Sequence, residues 1–243
     1  MAGGEGKRFR PLTYYFQKCM IPVGEEQKPI LEYIIRLLRF HKINDLVVLT
    51  SYRHQQIVNF FNNGERFGVK IKYVLDEPEL KGSANALLNA YWKGAISKED
   101  TLVIYYGDIL SNINLKELVK QHQETGYEAT IALTKKFKIS VGTADVDGKR
   151  ITNFTEKPNL EKSVSIGILI LNGSLLDLMG HLQKEGQLNS FDLMGDVISL
   201  LVKQGKNVGA YLTDAFWYDV GSLEKLERID NQKLDTEMGY LLK

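Results

Sequence analysis

The chain has 243 residues, of which 44% are hydrophobic and 25% charged, a balance typical of a globular domain with a buried core. Its 31 basic and 30 acidic residues give a net charge of +1, so the composition does not favour binding to nucleic acid or to a membrane surface. The single cysteine excludes an internal disulfide and is typical of a reducing cytoplasm, and no apolar run approaches the roughly 20 residues that span a bilayer.

Short apolar runs alternate with amphipathic stretches through the first half of the chain. The runs with strand character cover residues 46–50, 71–75, 102–106 and 129–133. The stretches with helical periodicity cover residues 30–40, 55–61, 84–93 and 115–123. Because the strands are apolar on both faces and each helix can cross over the sheet, the pattern predicts a doubly wound α/β unit with parallel strands.

The second half of the chain changes to closely spaced strands. These are predicted over 142–146, 151–155 and 164–171, with Asp147-Gly148 as a hairpin turn between the first two. Helices over 175–184 and 193–204, a strand over 208–212 and a terminal helix from Leu223 follow. With no low-complexity linker or internal repeat, the sequence predicts one α/β domain over residues 1–243, Rossmann-like and doubly wound, with a mixed sheet.

The opening loop has the composition of a phosphate-binding segment. Gly3, Gly4 and Gly6 leave main-chain amides open to a ligand, and Lys7, Arg8, Arg10 and Lys18 supply positive charge. A P-loop would need glycine in place of Met1 and a hydroxyl in place of Arg8, and a dinucleotide fingerprint would need glycine in place of Phe9. Both motifs fail, so a dinucleotide-dependent oxidoreductase is disfavoured.

The pattern that remains, Gly-Gly-x-Gly with a Lys-Arg pair and then Arg-Pro-Leu-Thr, resembles the signature of the sugar-1-phosphate nucleotidylyltransferases. Further similar motifs follow in the family's order. They lie at residues 18–23, 28–33, 82–87, 107–108, 156–158, 167–168 and 216–221. Each motif alone is weak, but their order from residue 2 to about residue 227 makes the resemblance specific.

The resemblance implies a nucleotide-diphospho-sugar transferase fold and an enzyme that joins a nucleoside triphosphate to a hexose 1-phosphate, with glucose or mannose 1-phosphate favoured. In that reaction a sugar phosphate oxygen attacks the α-phosphorus and pyrophosphate leaves. Two polyanions must meet, which calls for fixed cations, backbone amides and Mg²⁺. The implied partners are therefore the triphosphate and the sugar 1-phosphate, and the implied cofactor is Mg²⁺. Homo-oligomers are common in the family that the chain resembles, so a homo-oligomer is a possible further partner.

The matched motifs also imply which residues form the site. The implied catalytic residues are Arg8, Lys18 and Asp108. The implied nucleotide contacts, in a half spanning residues 2–135, are Ala2, Gly3, Gly4, Gly6, Gly82 and Ser83. The implied sugar-phosphate contacts, in a half spanning residues 136–227, are Gly142, Glu156, Lys157 and Ser165, and residues 223–243 form the terminal helix. The implied Mg²⁺ ligands are Asp108 and Asp219, two hard carboxylates that each follow a predicted strand.

Structural roles compete with several of these assignments. Asp108 is also a residue type that forms turns after strands, and Glu156-Lys157-Pro158 has the composition of an ordinary charged turn. A regulatory paralogue that senses nucleotide or sugar without catalysis is the alternative to an enzyme. Ser165 stands where the family commonly has a sugar-contacting asparagine, so the sugar and the base both stay open.

The cysteine and the histidines are expected to have structural rather than catalytic roles. Cys19 replaces a family proline and has no paired histidine, so we expect a packed thiol. The four histidines, His41, His54, His122 and His181, fall singly on helical stretches and are expected at the surface, with no zinc-like spacing. No hexapeptide repeats follow the terminal helix, so an appended acyltransferase module is not expected.

The start of the chain raises a specific expectation about the sheet. Members of the family carry about five apolar residues before Ala-Gly-Gly, and these form the central first strand. This chain has only Met1 there. The two alternatives are an apolar segment encoded upstream of Met1, or a sheet with a gap at its centre.

Overall fold

Helices and strands alternate along the chain as the sequence predicts. The computed structural model describes residues 1–137, 141–159 and 161–243. Its strands are β1 (Pro22–Val23), β2 (Lys28–Pro29), β3 (Asp45–Thr50), β4 (Lys70–Leu75), β5 (Thr101–Tyr105), β6 (Ile109–Ser111), β7 (Ala129–Thr134), β8 (Thr143–Asp147), β9 (Arg150–Thr155), β10 (Val164–Asn172), β11 (Val208–Leu212) and β12 (Trp217–Asp219). Its helices are α1 (Ile30–Phe40), α2 (His54–Phe61), α3 (Ser83–Trp92), α4 (Leu115–Thr125), α5 (Leu175–Glu185), α6 (Ser199–Lys203), α7 (Leu223–Glu227) and α8 (Asn231–Met238).

The main sheet is mixed and consists of two hydrogen-bonded blocks. In the first block β3 and β4 run parallel, with Leu46 opposite Ile71. The second block has the order β11-β7-β10-β5, in which β11 is parallel to β7 and β10 is antiparallel to both of its neighbours. The strands that the first-half pattern predicted as parallel therefore all run in one direction, and β10 inserts between β5 and β7 to make the sheet mixed.

Met1 and Ala2 join the two blocks at one end. The Ala2 amide donates to the carbonyl of Leu49 over 2.7 Å, and the Met1 amine donates to the carbonyl of Tyr105 over 3.0 Å. The Gly107 amide in turn donates to the Met1 carbonyl over 2.9 Å. These bonds follow the parallel pattern on both sides, so residues 1–2 occupy the carboxyl end of a central strand position.

Two hydrophobic cores lie on opposite faces of the sheet, because successive side chains of a strand point to opposite faces. On β10, Ile168 and Ile170 belong to the core under α1 and α4, whereas Leu169 and Leu171 belong to the core under α3 and α5. The near-continuous apolar runs in the sequence reflect this burial on both faces.

Three short pairs of strands lie outside this main sheet. They are β1–β2, the β6–β12 pair and the β8–β9 hairpin, all antiparallel. The hairpin turns at Asp147-Gly148 as predicted, and every residue in its two strands is exposed. Residues 138–140 and 160, within the predicted sugar-phosphate half, lie outside the described residues. Among the described residues, no helix is long and apolar enough to cross a bilayer.

Each of the two predicted helices near the end of the chain is observed as two shorter helical segments. Residues 193–204 form a π-helical turn, Leu193–Ile198, followed by α6, and the Asp192 side chain caps the turn by accepting from the amides of Met194 and Gly195. The predicted single terminal helix is instead α7 and α8. Asp230 accepts from the Lys233 amide and so starts a new helix.

The expectation that all four histidines lie at the surface is wrong for His122. This side chain is 2% exposed. Its Nδ1 lies 2.9 Å from Thr130 Oγ1 on β7, and its Nε2 lies 2.9 Å from Asn172 Oδ1 on β10. A histidine on an amphipathic helix resembles a surface residue in the sequence, but here both ring nitrogens have polar partners that permit burial.

Candidate active site

A cavity of about 790 Å³ opens at the carboxyl ends of β3, β4 and β5. The opening loop forms one wall, and residues 80–83 form the opposite wall. Asp76 and Asp108, which follow β4 and β5, lie between the two walls. Open α/β sheets bind ligands at this edge, so the cavity is the candidate site.

The opening loop is packed so closely that two of its glycines have no room for a side chain. A Cβ on Gly3 would clash with the Asp76 carboxylate and would lie 3.2 Å from Ser51 Cβ. Gly6 has a φ of +63° and leads into a turn at Lys7–Phe9, and its carbonyl accepts from Thr13 Oγ1 over 2.8 Å. Gly4, in contrast, has no atom within 4 Å of an added Cβ, so its backbone faces open space.

The loop is held in place by Gln17, a residue that is not among the predicted site residues. The Gln17 side chain is 1% exposed. Its Nε2 donates to the Ala2 carbonyl over 2.7 Å, and its Oε1 accepts from the Cys19 amide over 2.5 Å. One buried carboxamide therefore fixes both the glycine loop and the turn that carries Lys18.

Lys18 and Asp108 form an ion pair on the floor of the cavity. Their side chains are 13% and 28% exposed, and the Lys18 ammonium also lies 5.2 Å from the centre of the Phe9 ring. The structure thus brings together two of the three predicted catalytic residues, which are 90 positions apart in the sequence.

The third predicted catalytic residue, Arg8, lies at the exposed rim of the same cavity. Lys7 beside it is paired with Glu5 over 3.2 Å, whereas within the described residues no carboxylate oxygen lies within 4.0 Å of the Arg8 guanidinium. Arg8 therefore presents its charge to the cavity mouth, where an anionic ligand would enter.

Asp108 and Asp219 come from neighbouring chain segments, as a shared metal site requires. Asp219 is the last residue of β12 and lies opposite Ile109 of β6, and the Val220 amide donates to the Asp108 carbonyl over 2.9 Å. A Cβ on Gly221 would lie 2.8 Å from Asp219 Oδ1, so this glycine makes the room that the carboxylate occupies. The two carboxylates are hard oxygen donors of the kind that Mg²⁺ prefers, and Mg²⁺ keeps water and phosphate as its other ligands.

Each of these carboxylates already has a lysine partner. Asp108 pairs with Lys18, and Asp219 pairs with Lys225. No group of three or more metal-binding side chains occurs within residues 1–137, 141–159 and 161–243. The protein therefore contributes at most a two-carboxylate ligand set here.

Gly82 and Ser83, two of the predicted nucleotide contacts, lie in the opposite wall of the cavity. Gly82 has a φ of +94°, and a Cβ there would clash with the Phe191 carbonyl. The Ser83 hydroxyl donates to Asp192 Oδ2 over 2.7 Å and accepts from the Leu193 amide over 2.8 Å. Ser83 therefore ties α3 to the segment that precedes the π-helical turn, a structural role beside the predicted one.

Buried ionisable groups surround the glycine loop. Burial raises the pKa of Asp76 to about 6, although the nearby Met1 amine acts in the opposite direction. Asp76 is not among the predicted site residues, yet it follows a predicted strand at the same sheet edge as Asp108, and this position is the signal that could have identified it. Burial also raises the pKa of the Cys19 thiol to about 12, and the side chain is 2% exposed. The expectation of a packed thiol is confirmed.

The four predicted sugar-phosphate residues are not among those that line the cavity. Gly142 packs against the hairpin, where an added Cβ would lie 2.5 Å from the Phe154 ring and 2.9 Å from Glu156 Oε2. Lys157 is exposed and lies 4.0 Å from Glu156. Ser165 is exposed, and its Oγ accepts from the Gly167 amide over 3.4 Å. Gly142, Glu156 and Lys157 therefore lie close together beside the hairpin, and the assignment of all four residues stays a prediction.

A glycine loop and basic groups at the carboxyl edge of a doubly wound sheet place the protein among the nucleotide-binding α/β proteins. Within that class, the chain belongs to the nucleotidyl transferase family, whose model matches residues 1–236.

Comparison with individual proteins agrees with this assignment. The chain is 33% identical over 243 residues to a UTP–glucose-1-phosphate uridylyltransferase of Synechocystis, covering 92% of this chain but 59% of that enzyme. It is 28% identical to the D-glycero-α-D-manno-heptose 1-phosphate guanylyltransferase of Aneurinibacillus thermoaerophilus, covering 91% of each chain. This chain therefore spans about three fifths of the length of the Synechocystis relative and nearly all of the Aneurinibacillus one.

Solved structures share the fold. A Bacillus anthracis protein described as a glucose-1-phosphate thymidylyltransferase, in complex with sucrose, superimposes with a TM-score of 0.75 at 23% identity, covering 96% of this chain and 93% of that one. HddC from Yersinia pseudotuberculosis complexed with GMP-PN gives a TM-score of 0.67 at 19% identity, with 96% of both chains covered. The predicted mixed α/β nucleotide-diphospho-sugar transferase fold is confirmed.

Proposed function

We propose that the protein transfers a nucleoside monophosphate from a nucleoside triphosphate to a hexose 1-phosphate, giving an NDP-sugar and pyrophosphate. The observation that carries this proposal is the Lys18–Asp108 pair on the cavity floor, directly beside the glycine loop. The family membership and the names of the relatives support the same reaction. Glucose or mannose 1-phosphate is the favoured acceptor, and the cytoplasm, which holds both substrates, is the proposed location.

The reaction is an in-line displacement at phosphorus. An oxygen of the sugar phosphate forms a bond to the α-phosphorus, and the bond from that phosphorus to the bridging oxygen of pyrophosphate breaks. Negative charge develops on the leaving group, so fixed positive charges and amides lower the barrier, and the reaction needs no covalent nucleophile. The buried Cys19 thiol, whose pKa is raised to about 12, is not suited to such a nucleophilic role.

The chain's own residues divide these tasks. Amides of the glycine loop, together with Arg8 at the rim, hold the triphosphate, and Lys18 neutralises charge near the reacting phosphates. Gln17 acts as a positioning residue, because it fixes Ala2 and the Lys18 turn relative to each other. Gly82 and Ser83 border the base, and the exposed Glu156 and Lys157, with Gly142 and Ser165, receive the sugar phosphate.

Asp108 and Asp219 would hold Mg²⁺. Bound there with the phosphates, the ion would supply charge neutralisation of the two polyanions. Lys18 and Lys225, which pair with Asp108 and Asp219, would keep these carboxylates charged and oriented for the metal.

The test is pyrophosphate release from a panel of ATP, GTP, UTP, CTP and dTTP, each combined with glucose, mannose and N-acetylglucosamine 1-phosphate. We expect at least one pair to give Mg²⁺-dependent release above the rate of the Asp108→Asn variant. If no pair exceeds that rate while a triphosphate still binds by calorimetry, the protein is a nucleotide sensor and the enzyme proposal fails.

A further inference from the structure

Two chain segments that are far apart in the sequence build the cavity wall opposite the glycine loop. The first, residues 80–85, reaches from the cavity surface into α3, and the second, residues 187–193, packs against it without lining the cavity. Lys81 joins the two segments through its backbone. Its amide donates to the Asn189 carbonyl over 2.7 Å, and its carbonyl accepts from the Phe191 amide over 2.9 Å. The second segment therefore supports the wall from outside the cavity.

Asn85 connects the same two segments through a buried side chain. It lies in the first turn of α3 and is 0% exposed. Its Nδ2 donates to the Lys81 carbonyl over 2.9 Å and to the Leu188 carbonyl over 3.1 Å. One carboxamide thus ties the residue before Gly82 to the supporting segment.

Gly82 and Ser83 lie between two fixed points of this wall. The carbonyl just before Gly82 is held by Asn85, and the Ser83 hydroxyl is bonded to Asp192 and to the Leu193 amide. No side chain caps the amino end of α3. The position of its first turn therefore depends on the bonds that Asn85 and Ser83 make.

The Asn85 side chain is not arranged for stability alone. Its Oδ1 is buried and has no hydrogen-bond partner among the described residues, which costs free energy because the oxygen has also lost its water. Turning the carboxamide over would place this oxygen against the carbonyls of Lys81 and Leu188, so the bonds fix its orientation. An apolar side chain would avoid the unpaired oxygen but would leave the two segments unconnected at this point.

We propose that Asn85 positions the wall for the nucleoside triphosphate, by holding Gly82 and Ser83 where they border the base. This role depends on the proposed function, because it takes the cavity to be the nucleotide site. Asn85 itself does not line the cavity. It acts through the wall without touching the ligand, so it is a positioning residue and not a catalytic one.

The consequence for the reaction is a separation between binding and chemistry. The Lys18–Asp108 pair lies on the cavity floor and shares no hydrogen bond with Asn85. A loosened wall weakens the binding of the triphosphate, whereas the pair still acts on a triphosphate that has bound. The KM for the triphosphate should therefore rise while kcat changes little.

The test compares Asn85→Ala with Asn89→Ala, one turn further along the same helix. Asn89 is also buried, at 3% exposed, and its Nδ2 donates to the Leu75 carbonyl over 2.9 Å. Its carboxamide therefore bonds to the end of β4 and not to residues 187–193. Asn89→Ala removes a buried carboxamide from α3 without releasing the wall, which makes it the matched control.

Calorimetric titration with ATP, GTP, UTP, CTP and dTTP, each with Mg²⁺, identifies the triphosphate that the parent binds most tightly. We expect Asn85→Ala to raise the Kd of that triphosphate at least about tenfold and Asn89→Ala to raise it less than about threefold. In pyrophosphate release, Asn85→Ala should raise KM to a similar extent and change kcat by less than about threefold.

Three results would overturn the proposal. An unchanged Kd in Asn85→Ala would mean that the wall does not depend on Asn85, and equal increases in both variants would mean a general loosening of α3. A fall in kcat with an unchanged KM would place the effect in the chemical step.

Asn85→Ser provides the measurement if Asn85→Ala does not fold. The serine hydroxyl has one donor, so it can serve only one of the two carbonyls that Asn85 holds. We expect the Kd to rise about threefold, and an unchanged Kd would again overturn the proposal.

The calorimetric result separates this role from the proposed reaction. If a triphosphate binds but no sugar phosphate reacts, the enzymatic reaction fails, and the Kd values of the two alanine variants still decide the role of Asn85. If the parent binds none of the five triphosphates, the nucleotide site fails and the role of Asn85 fails with it.

Discussion

The buried carboxamide of Gln17 donates from Nε2 to the carbonyl of Ala2 over 2.7 Å. The same side chain accepts from the Cys19 amide, and the Gln17 amide itself donates to Gln56 Oε1 over 2.6 Å. The glycine loop, the Lys18 turn and helix α2 therefore meet at one residue.

Replacing Gln17 by methionine should destabilise the fold and loosen the loop. The change keeps the length of the side chain but leaves the Ala2 carbonyl and the Cys19 amide without their buried partner, which we expect to lower the free energy of unfolding by about 2–4 kcal/mol. Urea unfolding measures this. Gln55→Met, at an exposed position in the first turn of α2, is the control and should change little. Equal effects of the two substitutions would contradict the anchoring role of Gln17.

Gly3 and Gly4 should respond differently to alanine. A methyl group on Gly3 clashes with Asp76 and crowds Ser51, whereas a methyl group on Gly4 meets nothing within 4 Å. We expect Gly3→Ala to lower the free energy of unfolding by about 1–3 kcal/mol and Gly4→Ala to change it by less than about 0.5 kcal/mol. Thermal unfolding of both variants decides the point, and a larger loss for Gly4→Ala would show that the loop is packed differently.

Asp108→Asn and Asp219→Asn should each abolish Mg²⁺-dependent pyrophosphate release while leaving the fold intact. Each substitution removes one hard anionic oxygen from a set of two, and asparagine is a poor replacement for it. Release rates at several Mg²⁺ concentrations measure the effect, with circular dichroism as the check on folding.

The matched control for these two variants is Asp214→Asn, whose side chain is 80% exposed and pairs with Lys136. It should retain the parent rate. Near-parent activity in Asp108→Asn or Asp219→Asn would remove that residue from the metal site.

Asp76 should make stability depend on pH. Burial raises its folded-state pKa from 3.8 to about 6, so the folded protein binds this proton more tightly than the unfolded chain. The protonated Asp76 carboxyl therefore contributes fully to the free energy of unfolding below about pH 4, and this contribution is lost as the pH rises through about 6. Asp76→Asn cannot ionise, and it should be more stable than the parent at pH 7–8 by about 1–2 kcal/mol but equal to it near pH 4.

Urea midpoints of parent and Asp76→Asn at pH 4, 5, 6, 7 and 8 measure this dependence. The exposed Asp45 at the start of β3 serves as the control through Asp45→Asn. A constant difference between Asp76→Asn and the parent across the series would mean that burial does not shift the Asp76 carboxyl.

His122→Leu should destabilise the sheet. The substitution leaves the buried Thr130 hydroxyl and the Asn172 side-chain oxygen without a partner on α4, which we expect to lower the free energy of unfolding by about 2–3 kcal/mol. The exposed His181 provides the comparison, and His181→Leu should have an effect below about 0.5 kcal/mol. Similar urea midpoints for the two variants would mean that the His122 bridge does not contribute.

The elements of the main sheet could be predicted closely because each is apolar on both faces. The predicted helix at 30–40 matches α1, and the strand at 208–212 matches β11. The β6–β12 ladder was harder to foresee, because three-residue strands carry too little periodicity to separate from a loop. The break after Arg228 depends on the Asp230 side-chain cap of α8 rather than on the apolar pattern.

The motifs predicted the charged residues of the candidate site, but they did not predict the buried polar residues that hold the surrounding structure in place. The Lys18–Asp108 pair brings together two residues that ordered motifs had selected. Gln17 was not among the predicted site residues, because nothing in the neighbouring sequence shows that its carboxamide reaches back to Ala2. His122 looked like a surface residue because its two polar partners are 8 and 50 positions away in the sequence.

The two walls of the cavity are held by separate sets of bonds. Gln17 secures the glycine loop, whereas Ser83 joins the opposite wall to Asp192 and Leu193, and the two sets share no residue. Substitutions can therefore accumulate in one wall during evolution without disturbing the other. In the proposed function, where the loop holds the phosphates and the opposite wall borders the base, a substitution on the base side would leave the bonds that position the phosphate loop intact.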